Sequence, residues 1–181
     1  PYRLGAICAG AVVAFEMAAQ LLAAGERVSP LVLVDPPLPS GELPWTARVP
    51  RLLLLQALLP LRRSWGLARL VMRALGTPFR SVAELGVWLQ FRRASYRHRL
   101  RPLPLDVFVV GTDERLRPFG EGRWARLLKG HVRVFTVGAG HRAIFDPHNE
   151  DAERCCREAV RAAQAIEADR DAEAASAAVR V

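Results

Sequence analysis

Two short apolar runs frame a helical pattern in the first 35 residues of the chain. The run at residues 28–34 is mainly apolar and contains three valines, which is typical of a strand buried on both faces. Residues 2–7 form the other run. Between the two lies the apolar-rich stretch 11–24, which ends at Gly25, a residue suited to the position after a helix. The pattern predicts a strand, a helix and a second, parallel strand, which together make a βαβ unit.

The character of the chain changes over residues 41–100, which are rich in leucine and predict helices instead of strands. Two helical segments are predicted, at residues 51–75 and 81–96, and Pro60 and Pro78 interrupt this region. Arginines among the leucines of residues 51–75 also match a helix lying on a membrane surface. The proline within that segment favours a packed helical insertion instead.

Strand character returns in the last part of the chain. Residues 105–110 and 132–137 predict two further parallel strands. A final helix is predicted over residues 149–168, and residues 169–181 lack large apolar side chains, so we expect a flexible tail there. The order of the elements predicts an α/β fold with a single domain that spans residues 1–168.

Length and composition are those of one compact domain. The 181 residues are 51% hydrophobic and 24% charged, which supplies enough apolar surface for a core. The longest apolar runs are shorter than the ~18 residues that a membrane crossing needs, so no membrane span is expected. The absence of a visible secretion signal favours a cytoplasmic protein, and three cysteines exclude a disulfide scaffold.

The formal net charge of +8 raises the question of a nucleic-acid partner. The cations are nearly all arginine, Lys129 being the single lysine, and they are spread along the whole chain. Only residues 92–101 cluster cations near aromatic side chains, as a phosphate-binding face requires. No nucleic acid is therefore expected, and a basic surface is instead suited to an acidic protein partner.

The sequence Ala6-Ile7-Cys8-Ala9-Gly10 lies where the first predicted strand turns into the helix. A nucleophile at such a turn needs small residues two positions before and after it, because both are pressed against backbone, and Ala6 and Gly10 meet this need. Cys8 takes the exposed apex at a helix N-terminus, where the helix dipole favours a thiolate, and the N–H of Ala9 points to where an oxyanion would form. The alternative is a buried cysteine that acts as a small hydrophobic side chain.

Two residues with complementary chemistry also follow predicted strands. His141 follows the last strand after a glycine-rich stretch, and Asp35 ends the second strand before a run of prolines. Because the carboxyl ends of parallel strands share one edge of a sheet, His141 is expected to lie near Cys8 as a general base, and Asp35 is expected at the same edge. The other histidines lack this placement, and no spacing of Cys and His indicates a metal site.

The chain resembles the thioesterase domains of the α/β-hydrolase superfamily that end nonribosomal peptide and polyketide synthetases. Such domains cut an acyl or peptidyl thioester from the phosphopantetheine arm of a carrier protein, by hydrolysis or by ring closure. The resemblance implies an α/β-hydrolase fold with a helical lid over residues 41–100, a carrier protein in the same polypeptide as partner, and no cofactor. It is carried by Tyr2-Arg3-Leu4-Gly5-Ala6-Ile7-Cys8-Ala9-Gly10, Ala14-Phe15-Glu16-Met17-Ala18, Leu31-Val32-Leu33-Val34-Asp35 and Gly140-His141.

The resemblance also implies a role for each candidate residue. By motif position Cys8 matches the nucleophile, which is usually serine in the family, His141 matches the base, and Asp35 matches the acid. Asp113, just after the strand predicted at residues 105–110, is the alternative acid, because many other α/β-hydrolases place theirs there. Both acids keep the chain order of nucleophile, acid and base.

Two departures from the family pattern change what is expected. A cysteine nucleophile forms a thioester acyl-enzyme that stays activated toward amines, which favours amide-forming release beside hydrolysis. The chain begins at the strand of the turn, whereas the fold has earlier strands and a second oxyanion N–H, so we expect a C-terminal piece of a domain that is inactive by itself. The alternatives are a free-standing esterase or acyltransferase that acts on a diffusible substrate, and a non-catalytic remnant of the fold.

Overall fold

The computed structural model describes residues 1–37, 82–113, 126–138, 140–141 and 143–179, together with positions 46, 53, 66, 70 and 116. Two compact units divide the chain. One consists of Pro1–Leu38 and Leu100–Val181, and the other of Pro39–Arg99. Along the chain the elements are β1 (Gly5–Ile7), α1 (Gly10–Ala23), β2 (Leu31–Val34), α2 (Val82–Arg97), β3 (Val107–Thr112), β4 (Val132–Val137), a short 3₁₀ helix (Ala143–Phe145) and α3 (Glu150–Val179).

The first unit is built on a four-stranded sheet in the order β1-β2-β3-β4, with every neighbouring pair parallel. An isolated parallel bridge joins Tyr2 to Val28, which extends the contact between the first two strand segments toward their amino ends. The predicted βαβ unit and the parallel sheet are both present. Because all four strands run the same way, their carboxyl ends meet at one edge of the sheet.

Helices cover both faces of this sheet. Strand β3 has apolar side chains on both faces of the sheet, since successive side chains of a strand point to opposite faces. Val107 and Val109 pack in one core cluster with Phe15 of α1. Phe108 and Val110 pack in a second cluster, which contains the small α3 side chains Ala152, Cys155, Ala159 and Ala163. The result is the helix–sheet–helix layering of an α/β domain.

Helix α1 ends as the sequence predicted. Gly25 has a φ of +79°, a left-handed conformation that glycine adopts without a Cβ clash. Its N–H donates to the carbonyl of Leu22, and the N–H of Glu26 donates to the carbonyl of Leu21. These two bonds are a Schellman motif, which satisfies carbonyls that the end of a helix leaves free. The chain then turns back directly into the β2 segment.

Helix α3 is longer than the sequence predicted. It begins after Asn149, whose side chain accepts a hydrogen bond from the N–H of Ala152 at 3.0 Å, and it continues to Val179 instead of ending near residue 168. Two ion pairs hold the added turns, Arg27 with Asp171 and Arg170 with Asp106. The predicted end of the helix was therefore wrong, because alanine, arginine and glutamate are good helix formers even without large apolar side chains. Flexibility of residues 169–181 in solution stays a prediction.

Other predicted elements are found with shifted bounds or lie outside the described residues. Strand β3 begins and ends two residues later than the predicted 105–110, whereas β4 has the predicted bounds. In the second unit α2 lies within one residue of the predicted helix 81–96. The helix predicted at residues 51–75 falls almost wholly outside the described residues. Among the helices that are described, none combines the length and apolar character needed to cross a membrane.

Candidate active site

Cys8 and Asp35 occupy matching places, each one residue beyond the end of a strand. Both have left-handed backbone conformations, with φ of +48° and +47°. The N–H of Cys8 donates to the carbonyl of Val34 at 2.7 Å, and that of Asp35 donates to the carbonyl of Val110 at 2.6 Å. The hydrogen-bond ladder therefore continues while the backbone turns both side chains out of the sheet. Non-glycine residues held in this region cost on the order of 1–3 kcal/mol each, and such residues cluster at active sites.

The small residues around Cys8 make its sharp turn possible. A Cβ added to Gly10 would lie 3.7 Å from the Cβ of Ala6, so the residues two before and two after the cysteine face each other across the turn. A methyl group at position 10 would therefore make an ordinary van der Waals contact with Ala6. Ala9 has already entered helical geometry, with φ −58° and ψ −25°. Its N–H belongs to the first turn of α1, where backbone donors have no partner within the helix.

His141 lies in the loop between β4 and α3, and this loop is tied to the start of α3. The N–H of Gly138 donates to Asp151 Oδ2 at 3.2 Å, before the histidine. After the histidine, the side-chain amide of Asn149 donates to the carbonyl of Ala143 at 2.8 Å. The glycines give the loop freedom to turn, and these two bonds on either side restrict where the imidazole can lie.

Asp151 keeps its charge in this arrangement. A hydrogen bond from Arg154 lowers the pKa of its carboxyl below the usual 3.8, and the Gly138 N–H acts in the same direction. Its position in the first turn of α3 adds a favourable interaction with the positive end of the helix dipole. The tie between the loop and the helix is therefore charge-assisted at neutral pH.

The three predicted residues come together as one chain of contacts. His141 Nδ1 is hydrogen-bonded to Asp35 Oδ2, and His141 Nε2 lies 3.9 Å from Cys8 Sγ. Asp35 is fully buried, whereas a third of the His141 side chain is exposed. Phe145 packs its ring edge-to-face against the imidazole at a centroid distance of 5.2 Å. With Nδ1 donating to the carboxylate, Nε2 faces the thiol as a hydrogen-bond acceptor, which is the arrangement a general base requires.

Asp113 does not share this contact in the described residues. It lies just after β3, and its side chain is exposed. The residue of this strand end that reaches the site is Thr112, whose N–H and Oγ1 lie 3.3 and 3.4 Å from Asp35 Oδ1. Of the two candidate acids, the structure thus brings Asp35 to His141.

Two residues beside the site were missing from the sequence-based prediction. Thr112 was overlooked because the strand was predicted to end at residue 110, which placed the threonine in a loop. Phe145 lies four positions after His141 in the sequence, and this spacing carries no signal, since a single aromatic residue after a loop is common. Correct bounds for β3 would have placed Thr112 beside Asp35 at the carboxyl edge of the sheet.

The other two cysteines have different surroundings. Cys155 is buried, with its Sγ 3.7 Å from the carbonyl of Thr136, and burial raises the pKa of its thiol. Burial also raises the pKa of the neighbouring Cys156 thiol. Both therefore favour the unreactive protonated form, as structural cysteines do. Cys8 differs from these two cysteines because its partly exposed thiol lies next to the imidazole of His141.

No group of three or more His, Cys, Asp or Glu side chains able to hold a metal ion occurs among the residues that the structure describes. The contacts of Cys8, His141 and Asp35 bring a thiol, an imidazole and a buried carboxylate together. This combination suits acyl transfer, in which the cysteine carries the acyl group between two acceptors.

Comparison with known proteins identifies the family. The sequence profile of the thioesterase domain matches residues 1–158. The non-reducing polyketide synthase PKS1 of Zymoseptoria tritici is 28% identical over 177 aligned residues, which cover 88% of this chain and 8% of the synthase. The chain thus spans less than a tenth of the length of this curated relative.

Solved thioesterases share the fold. The NocB thioesterase domain, in a covalent complex with a fluorophosphonate nocardicin G analog, superposes with a TM-score of 0.60 at 25% identity, over 88% of this chain and 66% of that one. RedJ, a thioesterase of the prodiginine pathway in Streptomyces coelicolor, superposes with a TM-score of 0.52 at 19% identity, over 88% of this chain and 62% of RedJ. The predicted α/β-hydrolase fold class is confirmed. The chain belongs to the thioesterase domain family.

Proposed function

We propose that this thioesterase releases an acyl or peptidyl chain from a phosphopantetheine thioester on a carrier protein, by hydrolysis or cyclisation, with Cys8 as nucleophile. The observation that supports this most is the unbroken contact from Cys8 Sγ through the His141 ring to the buried Asp35 carboxylate. Each of the three residues has the chemistry of its proposed role, and each follows the carboxyl end of a different strand.

Acylation begins with proton transfer from the Cys8 thiol to His141 Nε2. The thiolate then attacks the carbonyl carbon of the substrate thioester, and the carbonyl oxygen becomes an oxyanion. The Ala9 N–H and the positive end of the α1 dipole are placed to stabilise that oxyanion. Asp35 holds the imidazole in the tautomer that accepts at Nε2 and stabilises the imidazolium once it forms.

Collapse of the tetrahedral intermediate breaks the bond between the carbonyl carbon and the pantetheine sulfur. The imidazolium of His141 gives its proton to the departing pantetheine thiol, so that the free arm and a neutral histidine result. The acyl chain now forms a thioester with Cys8 Sγ. No cofactor takes part in this proposal, because all three reacting groups are side chains of the chain itself.

Release reverses these roles with a new nucleophile. His141 removes a proton from the nucleophile, which is water or an internal hydroxyl or amine of the acyl chain. The nucleophile attacks the thioester carbonyl, and the bond from the carbonyl carbon to Cys8 Sγ breaks. Cys8 then receives the proton from His141 and is a free thiol again. The acyl-enzyme is a thioester like its precursor, so the acyl group loses little activation on transfer. A thioester acyl-enzyme therefore supports amide formation with an amine as well as hydrolysis.

The proposed partner is an acyl or peptidyl carrier protein in the same polypeptide. The polyketide synthase relative is far longer than the matched region, and a four-domain nonribosomal peptide synthetase shares the fold over 14% of its chain, with a TM-score of 0.53. Carrier-bound substrates suit an enzyme embedded in such an assembly, in the cytoplasm. Arg97 and Arg99, both in the second unit, are exposed, and this positive charge suits an acidic carrier surface.

Mass analysis of the acyl-enzyme tests the proposal directly. The full-length protein is incubated with an acyl-pantetheine thioester and digested with trypsin. Residues 4–27 form one tryptic peptide, which contains Cys8 and neither Cys155 nor Cys156. We expect the acyl mass on this peptide in the wild type and in Cys155→Ala, and its absence in Cys8→Ala. An adduct elsewhere that persists in Cys8→Ala, or no adduct in the wild type, would refute the mechanism.

A second measurement separates the proposed carrier substrate from a diffusible one. The same acyl group is offered on a holo carrier protein, on free pantetheine and as a simple oxygen ester, and release is followed by product mass. We expect the carrier-bound thioester to react fastest. Equal or faster release from the oxygen ester would favour a free-standing esterase, and no release from any of them would favour a non-catalytic remnant.

A further inference from the structure

Asp35 has a second set of contacts, opposite the one it makes with His141. Thr112, the last residue of β3, is buried, and its backbone N–H and its Oγ1 lie 3.3 and 3.4 Å from Asp35 Oδ1. Oδ2 of the same carboxylate is the oxygen that receives His141 Nδ1. One carboxylate oxygen therefore faces the threonine, and the other faces the imidazole.

We propose that Thr112 is a positioning residue, which holds the Asp35 carboxylate in the rotation that presents Oδ2 to His141. The terminal torsion of an aspartate is a soft, broad one, so backbone placement alone leaves the carboxylate free to rotate. Asp35 is fully buried, and a buried carboxylate needs hydrogen-bond donors to replace water. Thr112 supplies two, and its hydroxyl is the one that a substitution can remove.

The residue before Thr112 supports the same reading. Gly111 carries no Cβ, and an added one would lie 3.4 Å from Asp35 Oδ1 and 3.0 Å from Cδ2 of Leu116. A side chain at this position would push on the leucine, and it would lie in van der Waals contact with the carboxylate oxygen that Thr112 faces. The end of β3 is thus shaped on two consecutive residues for close approach to Asp35.

With this role for Thr112, the end of β3 takes part in the site although Asp113, the acidic residue that follows the strand, does not contact His141. Asp113 is exposed, whereas Thr112 is buried and directed at the carboxylate of the neighbouring strand end. The nucleophile, the acid and the support of the acid then come from β1, β2 and β3, three strands adjacent in the sheet. The consequence for catalysis rests on the function proposed above, but the positioning itself is testable without an acyl substrate.

The test measures how fast iodoacetamide alkylates Cys8, with the product mapped to the tryptic peptide of residues 4–27. A double-mutant cycle combines Thr112→Val, which keeps the shape and removes the hydroxyl, with Asp35→Asn. Thr112→Ser keeps a hydroxyl and is the matched control. Long hydrogen bonds are at the weak end of the usual range, so we expect Thr112→Val to slow alkylation about three- to tenfold. Thr112→Ser should stay within about twofold of the wild type.

Coupling to Asp35 distinguishes positioning from a general structural effect. If Thr112 acts through the carboxylate, Thr112→Val adds nothing in the Asp35→Asn background. An equal slowing in both backgrounds, or alkylation of Thr112→Val at the wild-type rate, overturns the proposal. Thermal melting checks that the variants fold. If Thr112→Val does not fold, Thr112→Ala removes the same hydroxyl, and its alkylation rate is used in the same comparison. Should acyl-pantetheine fail to label Cys8 while the coupling is found, the proposed function fails and the positioning role stands.

Discussion

The two ends of the parallel sheet are built for different purposes. At the carboxyl end, Cys8 and Asp35 have left-handed backbones, and the contact from Cys8 to His141 is long at 3.9 Å. At the amino end, ion pairs fasten α3 to the segments that lead into the strands. Strain and reactive groups are thus concentrated at one end, and charged contacts between distant parts of the chain at the other.

The amino-end contacts join residues far apart in sequence. Arg3 donates to Glu167 through Nε at 3.0 Å and Nη2 at 3.1 Å, a two-pronged pair with a buried carboxylate. Arg170 donates to Asp106 Oδ2 at 2.9 Å, while Asp106 Oδ1 accepts the N–H of His131 at 2.8 Å. These contacts tie the helix to the segments before β1, β3 and β4. Residues at this end should affect stability, and residues at the other end should affect chemistry.

The largest expected effect separates Asp35 from Asp113. Asp35→Asn should lower the acylation rate by about 10⁴, because loss of the carboxylate that orients the histidine has this effect in serine proteases. Asp113→Asn, the matched control, should change the rate by less than about tenfold, because its side chain is exposed. Single-turnover kinetics with an acyl-pantetheine thioester give both numbers. If Asp113→Asn proved the more damaging variant, the acid would have to be reassigned.

A glycine at the amino end is expected to have the next largest effect, on stability. A Cβ on Gly130 would lie 2.3 Å from the carbonyl oxygen of Leu105 and 2.7 Å from the N of Asp106, so backbone must move. Gly130→Ala should lower the free energy of unfolding by about 3 kcal/mol or more. Urea denaturation of the variant and the wild type measures the difference.

Gly25→Ala is the matched control for this prediction. Its φ of +79° is unfavourable for alanine, but nothing lies within 4 Å of the added Cβ. The expected loss is about 1 kcal/mol, from backbone strain alone. A larger loss at Gly25 than at Gly130 would contradict the close backbone approach before β3. Neither change should alter the rate constant of the folded enzyme.

The smallest expected effect is the pH-dependent contribution of Glu167. The hydrogen bond from Arg3 holds the pKa of this carboxyl below its usual 4.5, although burial acts in the opposite direction. A lowered folded-state pKa stabilises the fold above the unfolded value, and this stabilisation is lost as the pH falls through the folded value. Glu167→Gln should therefore melt at a lower temperature than the wild type at pH 7, and the gap should close in acid below 4.5.

Glu158→Gln provides the control for this melting experiment. Glu158 pairs with Arg154 within α3 at 3.1 Å, but both side chains are about half exposed, so little stability depends on the pair. Thermal melts over a pH series compare the two variants. A gap for Glu167→Gln that widens in acid, or one no larger than that of Glu158→Gln, would show that the amino-end pair does not stabilise the fold.

Much of the site was predictable from local pattern alone. The apolar runs locate the ends of β1, β2 and β4, and Cys8, Asp35 and His141 follow those ends directly or within a short loop. Small residues around Cys8 predict the sharp turn, and in the structure Ala6 and Gly10 face each other across it. These features depend on neighbours within a few residues, and therefore the sequence determines them without reference to the rest of the fold.

Tertiary structure decided what local pattern leaves open. Asp35 and Asp113 both follow strands. The pairing of β2 with β3 brings Thr112 to Asp35, and the loop after β4 brings His141 to the same carboxylate. The extra turns of α3 beyond residue 168 likewise accompany ion pairs with Arg27 and Asp106, remote in sequence. A strand's end can be read from its own residues, but which side chains it meets depends on strands that the chain adds much later. That is the physical reason the supporting threonine, unlike the cysteine, became visible only in the folded molecule.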